Sequence, residues 1–312
     1  MSGSADSPDG DLELEVVIVS YRCRELLRGC LTSLLAHPVR SGAMRVHVVD
    51  NDSEDGTEEM VRTMFPDVRF EGLAENAGFS VANNRALRRT TAPSVLLLNP
   101  DTEMRPDVLD HVLEVMAERP DVGMLGCRLV QRDGSFDHAA KRSFPTPGSA
   151  LAHFTGIGRR RGAGARAAQY QAPHVDELSV GAVDAVNGAF MLVRREALEQ
   201  VGLLDEGYWL YMEDLDWCYR FHQAGWTVLY DGRVAVMHAK GGTAGRHRAL
   251  RQNVWFHRGM ARFYRKFQAG RNPVVDLTVY MGIAAKLTIS VIRSTVARRV
   301  AAGLPGRRGI GL

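Results

Sequence analysis

The chain has 312 residues, 45% of them hydrophobic and 24% charged, a composition ordinary for a soluble globular protein and sufficient for one large α/β domain plus an appendage. Its four cysteines, Cys23, Cys30, Cys127 and Cys218, match neither zinc-site nor disulfide-framework spacing, so a reducing, cytoplasmic compartment is expected. The net charge of +3 hides an asymmetry: residues 246–312 carry fourteen Arg or Lys against the single acid Asp276, and the rest carries 25 basic and 35 acidic residues. Such a block predicts either a surface that meets phosphate, in nucleic acid or lipid headgroups, or a solvated helical face.

Residues 1–13 are rich in Ser, Gly and Asp without an apolar run, which excludes a secretory signal and predicts a disordered tail. A β-branched apolar run at 14–20 predicts a buried strand, and 24–36 a helix. A strand at 46–49 ends at Asp50, a helix follows over 57–64, and 68–73 reads as a strand. The polar turn 75–78 leads to a helix over 82–89 and a strongly apolar strand at 94–98, ending in Asn99-Pro100-Asp101. This alternation predicts a doubly wound sheet, in which ligands gather at the carboxyl ends of strands. Polar clusters stand at three such ends: Ser20-Tyr21, Asp50-Asn51-Asp52-Ser53 and Asn99-Pro100-Asp101.

After a helix over 107–118, residues 132–182 lack regular pattern, and 159–166 read as a mobile loop. Order resumes with a strand at 190–193, helices over 195–201 and 213–224, a strand at 227–230 and a segment at 235–238 that closes the domain.

The first strand–helix turn, residues 20–24, has no glycine to let a backbone approach a pyrophosphate, which argues against hydride chemistry on a dinucleotide. Without that loop a diphosphate is commonly neutralised by a divalent ion, and Asp101 at a strand end is a suitable hard oxygen ligand. It serves equally well as a helix-capping turn residue. Glu213, Asp214 and Asp216 begin a helical pattern beside Trp209, Tyr211 and Trp217. Acids against apolar surface suit general-base work, whereas helix capping accounts for one or two of them but not for the aromatics. His238 follows an apolar strand and precedes a glycine turn, as a structural histidine or a metal ligand would.

Taken in order, these segments resemble the family 2 glycosyltransferases of the GT-A fold over about 14–245. The motifs carrying the resemblance are Val17-Ile18-Val19-Ser20-Tyr21, Val48-Val49-Asp50-Asn51-Asp52-Ser53 with Asp55-Gly56-Thr57, and Glu75-Asn76-Ala77-Gly78-Phe79 with Asn83-Asn84. Leu97-Leu98-Asn99-Pro100-Asp101, Asn187-Gly188-Ala189-Phe190, Glu213-Asp214-Leu215-Asp216 and His238 complete the set. The resemblance implies an α/β GT-A fold, Rossmann-like, with a mixed, mostly parallel sheet flanked by helices and a C-terminal helical extension. It implies a nucleotide-sugar site in which Ser20, Tyr21 and Asp50 meet base and ribose, with Asp52, Asn76, Gly78, Asn83 and Asn99 close by. Asp101 corresponds to the last Asp of the family's metal motif, whose first position is here Asn99, and His238 to a position near the metal or the diphosphate. A divalent cation, Mg2+ or Mn2+, is the implied cofactor. Asp214 aligns with the catalytic base of an inverting displacement, and Glu213, Asp216 and Trp209 would orient the acceptor or the neighbouring helix.

Asn99-Pro100-Asp101 with residues 211–218 is most similar to the rhamnosyltransferase branch, which implies dTDP-L-rhamnose as donor and a polyprenyl-diphosphate-linked GlcNAc as lipid-linked acceptor. UDP-galactose and UDP-GlcNAc stay open as donors.

Beyond 245 the chain reads as helices. Trp255, Phe256, Met260, Phe263, Tyr264 and Phe267 recur at helical spacing among Arg258, Arg262, Arg265 and Lys266, suiting an anionic membrane surface. The apolar segment 274–296 is interrupted by Asp276, Lys286 and Arg293. Each such charge costs about 2.5–3.5 kcal/mol at a bilayer centre, so an interfacial helix is expected rather than a span. The same helices would alternatively pack on the catalytic domain or join two copies as a homodimer. These readings place the protein in the cytoplasm, peripheral on the inner face of the plasma membrane. Two other classes fit less well. A sugar-phosphate nucleotidyltransferase would carry glycines after the first strand, and an RNA-binding module is at odds with the acidic body, so no nucleic-acid partner is expected.

Overall fold

Valine and isoleucine, stiff at χ1 and well fitted to a pleated surface, place the sheet along the apolar runs. The computed structural model describes residues 12–145, 172–239 and 250–302; most of the expected N-terminal tail, the loop 159–166 and the glycine turn after His238 lie outside the described residues. The first half runs β1 (Leu12–Ser20), α1 (Arg24–Ala36), β2 (Ala43–Asp50), α2 (Thr57–Met64), β3 (Arg69–Gly72), α3 (Phe79–Leu87), β4 (Ser94–Leu98), β5 (Thr102–Glu103) and α4 (Val108–Glu118). Then come β6 (Val122–Val130), β7 (Lys141–Arg142), β8 (Val180–Ala182), β9 (Ala185–Val186), β10 (Phe190–Arg194), α5 (Arg195–Val201), α6 (Glu213–Gln223), β11 (Thr227–His238), α7 (Leu250–Phe267) and α8 (Pro273–Ala302).

The main sheet has the order β3-β2-β1-β4-β10-β6-β11-β5, with β8 also paired to β11. Strand β1 lies parallel to β2 and β4, β2 parallel to β3, and β11 parallel to β6, whereas β10 is antiparallel to both β4 and β6. This reversal makes the α/β sheet mixed, as the resemblance implies. It also brings the start of β10 to the edge where β1, β2, β4, β6 and β11 end, and all the candidate site segments meet there.

Strand β6 was not evident from the sequence because Gly123 and Gly126 interrupt its apolar pattern. Both are places where a side chain has no room: a Cβ would lie 2.8 Å from Trp226 at the first and 2.5 Å from Val186 at the second. Two segments expected to be separate, 227–230 and 235–238, form the single strand β11, with an irregular register between Asp231 and Ala235. Helix α3 begins at Phe79, earlier than the expected 82, because the turn before it ends at Gly78.

A buried carboxylate fixes the start of the sheet. Glu15, on β1, is fully buried. It accepts hydrogen bonds from His47 Nε2 at 2.9 Å and from the backbone N–H groups of Thr91 and Ala92, while Arg45 lies 3.4 Å away. Burial alone would raise its pKa, but the bonds from His47, Ala92 and Thr91 dominate and hold it at about 2. A depressed carboxylate contributes stability that is present above its unfolded pKa and lost as pH falls through the folded one. Glu15→Gln is therefore expected to destabilise the fold by on the order of 3 kcal/mol at neutral pH, with the gap to the parent closing between about pH 4.5 and 2. Urea unfolding of both proteins across that window checks this; a pH-independent gap would refute it.

Candidate active site

At the end of β2 the carboxylate of Asp50 closes its own turn, accepting Ser53 Oγ at 2.6 Å and Ser53 N at 2.9 Å. Asp52 sits in that turn with φ of 63°, the left-handed region Asp tolerates better than most residues. The turn is tied to β1 by Arg22 N donating to Ser53 Oγ at 2.8 Å. Asp50 and Asp52 line a cavity of about 540 Å³ that also takes in Glu54, Asp55, Phe70 and Leu73. Tyr21 is 37% exposed beside this turn, with the Arg22 guanidinium 5.2 Å from its ring centroid.

Ser20 and Asn83 are not brought to the surface of the site. Ser20 is fully buried with its Oγ on Cys23 Sγ, and Asn83 donates back to Phe79 O within its own helix. The neighbouring Asn84 is bonded to Leu204 O, Leu204 N and Glu206, pinning the chain that leads into α6.

The turn before α3 is built around Asn51 and Trp209. Asn51 accepts from Ala77 N and donates to Gly78 O, Asn76 accepts from Gly78 N, and Trp209 O accepts from Phe79 N at 2.7 Å. Gly78 has φ of 88°, and a Cβ there would stand 2.6 Å from Trp209 O, so only glycine meets both demands. Donor-side and acceptor-side candidates are thus joined through one backbone contact.

At the end of β4, Asn99 N donates to Ala189 O and Asp101 O accepts from Ala239 N, fastening the strand to the loop before β10 and to the end of β11. Asp101 and His238, both nearly buried, face one another with Oδ1 and Nε2 3.4 Å apart. The other ring nitrogen of His238 is 3.2 Å from Asp137, which lies just after β6. Burial works against a charge on this imidazole, but Asp101 and Asp137 outweigh it and raise its pKa to about 9. Among the described residues no third His, Cys, Asp or Glu completes a metal-binding group here.

The acids of α6 are all buried and differ in how they are partnered. Asp214 accepts at Oδ2 from Arg142 Nη2 at 2.6 Å and from Gly188 N at 3.3 Å, and at Oδ1 from Leu215 N at 2.8 Å. Asp216 is paired to Arg220 at 2.8 Å and to Lys266 of α7 at 2.7 Å. Among the described residues Glu213 Oε2 has no hydrogen-bond partner; burial first, and then the charge of Asp214, push the Glu213 pKa up to about 8. Asp214 therefore faces the polar loop while Asp216 faces the C-terminal helices. Of the two orienting roles expected for Asp216, the contact is to the neighbouring helix.

Helix α7 packs on this region. Trp255 stacks on Trp209 with centroids 5.2 Å apart, Arg262 and Lys266 pair with Asp205, and Phe263 is buried in the main core. Gly259 lies against Tyr211 and Met212, consecutive residues with φ of 71° and 73° that immediately precede the acids. Each left-handed non-glycine costs about 1–2 kcal/mol, so this entry into α6 depends on what packs over it. The aromatic face expected to suit a membrane is thus spent on the protein. Helix α8 packs on α7 through Val279 and Ile283 and leaves Val274, Leu277, Met281, Ile289 and Ile292 exposed.

Arg142 and Asp137, which hold two of the central candidates, were missed in the sequence. Both lie in the stretch without pattern, where a two-residue strand and a single ligating acid leave no periodic trace. The one hint was a pair of bases, Lys141-Arg142, directly after Ala139-Ala140.

The family model described as Glycosyltransferase like family 2 matches residues 11–254, and the chain belongs to that family. It is a glycosyltransferase of GT-A architecture. It is similar to the N-acetylglucosaminyl-diphospho-decaprenol L-rhamnosyltransferase of Mycobacterium tuberculosis, at 30% identity over 75% of this chain and 78% of that protein. It is also similar to rhamnosyltransferase WbbL of Escherichia coli K12, at 31% identity over 54% of this chain and 60% of the other. Among solved structures, the mannosyltransferase PcManGT of Pyrobaculum calidifontis, in complex with GDP-Man and Mn2+, shares the fold. Its TM-score is 0.55 at 19% identity, covering 94% of this chain and 76% of that one.

Lys266→Met tests whether α7 is held by its charges. Loss of the bonds to Asp205 and the buried Asp216 is expected to cost about 1.5–3 kcal/mol and to expose 250–267 to limited proteolysis. An unchanged melting temperature and cleavage pattern would show that apolar packing alone seats the helix.

Proposed function

We propose that the protein is an inverting transferase that moves L-rhamnose from dTDP-L-rhamnose to a hydroxyl of a polyprenyl-diphosphate-linked GlcNAc, in cell-wall or surface polysaccharide synthesis. The transferred sugar and the acceptor are carried by one observation, the 30% identity over three quarters of the chain to the mycobacterial enzyme whose name specifies both, while the dTDP carrier is what the family resemblance implies. In this reading Asp214 is the base. The acceptor hydroxyl gives its proton to the Asp214 carboxylate as its oxygen bonds to the anomeric carbon. The bond from that carbon to the phosphate oxygen breaks on the opposite face, and its electron pair leaves with the nucleoside diphosphate. One in-line displacement inverts the centre. The cavity beside Asp50 and Asp52 and the turn 76–78 are read as the nucleotide-sugar side, with Tyr21 and Asn99 at its margin and Trp209 on the acceptor side. Ser20 and Asn83 support it from within.

The donor set at the end of β4 fits a divalent cation, Mg2+ or Mn2+. Asp101 offers a carboxylate, and a cation beside it would displace the proton that Asp101 and Asp137 favour on His238, leaving Asp137 to orient the ring as an outer carboxylate orients a ligating histidine. The remaining ligands would be diphosphate oxygens and water. When bound, the cation supplies Lewis-acid stabilisation of the charge on the leaving diphosphate.

The lipid-linked acceptor makes attachment to the cytoplasmic face of the membrane useful, and the exposed face of α8 is the surface read for it. Pro273–Ile292 is long and apolar enough to cross a bilayer and is largely unburied. Its near side is committed to α7, and Asp276 bonds Tyr264 Oη at 2.6 Å, which favours a helix lying on the surface.

Two outcomes test this. Asp214→Asn is expected to lower transfer at least about 1,000-fold while donor affinity stays within about threefold. The assay is a panel of nucleotide-sugars against polyprenyl-diphospho-GlcNAc, with and without chelator; near-normal turnover of the variant removes Asp214 as base, and transfer from a UDP-sugar alone removes the rhamnose reading. Separately, the full chain should sediment with phosphatidylglycerol vesicles at low salt, and Leu277→Glu with Met281→Glu should release it. Failure of the parent to sediment would sink the peripheral attachment.

A further inference from the structure

We infer that Arg142 is a positioning residue that keeps Asp214 ionised and aimed, so that the base is available at neutral pH; this rests on the reading of Asp214 as the base. Strand β7 pairs antiparallel with β9, setting Lys141 opposite Val186 and Arg142 opposite Ala185. That small sheet delivers a guanidinium whose side chain is only 10% exposed. Its Nη2 bonds both Asp214 Oδ2 at 2.6 Å and Val186 O at 2.7 Å, so the cation is fixed by backbone as well as by the carboxylate.

The surroundings make this cation decisive. On its own helix Asp214 is faced by Glu213, Asp216 and Cys218. Cys218 is a neutral thiol, pushed up to about 12 by burial, and Asp216 is matched by Arg220 and by Lys266 from α7. Burial first, and then the charge of Asp214, raise the proton affinity of Glu213, so it supplies no counter-charge. The loop before β10 contributes the Gly188 N–H. Among the described residues Arg142 is the one cation bonded to Asp214. Without it the Asp214 carboxylate would stand buried beside two other acids with no counter-charge bonded to it. A guanidinium keeps its charge throughout the working range of pH. The bonds divide the carboxylate's labour: Oδ2 is held by Arg142 and Gly188 N, while Oδ1, which among the described residues accepts from Leu215 N alone, retains a lone pair for the acceptor hydroxyl.

The test is the pH dependence of the single-turnover rate for the parent, Arg142→Gln and Arg142→Lys. The Gln variant should move the acidic limb upward by about 1–3 pH units, so that activity lost at pH 7 returns as pH rises, while the Lys variant keeps the limb near the parent's. Donor affinity by calorimetry should stay within about threefold for both. An equal loss at every pH, or Gln and Lys variants that shift alike, would overturn the inference and leave Arg142 a packing residue. Should the Gln variant not fold, Arg142→Met, which fills the same apolar volume, is read in the same way. Near-normal turnover in Asp214→Asn would instead dismiss the base itself, a result separable from either shift.

Discussion

The burial of three carboxylates in the first turn of α6 is the constraint around which the surrounding structure is arranged. An ion removed from water needs a counter-charge or a proton, and here each acid meets that need differently. Asp214 has Arg142 from β7, Asp216 has Arg220 and Lys266, and Glu213 has a raised proton affinity. Each solution recruits a separate part of the chain. The two-stranded sheet of β7 and β9 exists at the place where Arg142 is required, and α7 is fastened where Lys266 is required. A helix N-terminus favours acids in any case, but the macrodipole alone would not hold three of them buried.

The reversal of β10 is what lets these partners meet. In a wholly parallel sheet the strand beside β4 would start at the far edge, and residues 187–189 would be remote from Asp101. Running antiparallel, β10 begins beside the ends of β4 and β6, so Asn99 N reaches Ala189 O and Gly188 N reaches Asp214. Strand β11, parallel to β6, then ends at His238 on the same edge, opposite Asp101. The metal candidates and the base candidate come from opposite ends of the sequence and are joined by this one strand direction.

How far the sequence was legible follows from which interactions leave a local trace. Strand β4 and helix α1 were readable to the residue because uniform apolar runs and an amphipathic period report burial directly. Strand β6 was not, because Gly123 and Gly126 answer to Trp226 and Val186, residues distant in the chain that no local pattern announces. The same holds in the site. Asp101, Asp214 and His238 stand at element boundaries, where polarity after an apolar run is conspicuous, whereas Asp137 and Arg142 matter only through what they touch. Ser20 shows the converse: it occupies a strand end as expected, yet the pleat turns its hydroxyl inward onto Cys23.

The C-terminal charge asymmetry resolves into two populations once the helices are placed. Arg262 and Lys266 point back to Asp205 and Asp216, so part of the positive excess balances the acidic body rather than an external phosphate. What α7 thereby secures is the strained pair Tyr211 and Met212 and, through Trp255, the indole of Trp209. Helix α8 rests on α7 through Val279 and Ile283 and keeps Leu277, Met281, Ile289 and Ile292 outward. In the proposed reaction a lipid-borne acceptor would approach across that outer surface toward Asp214. Helix α7, which packs over the residues leading to Asp214, is then also the support of α8, the helix whose outer face is read for the membrane.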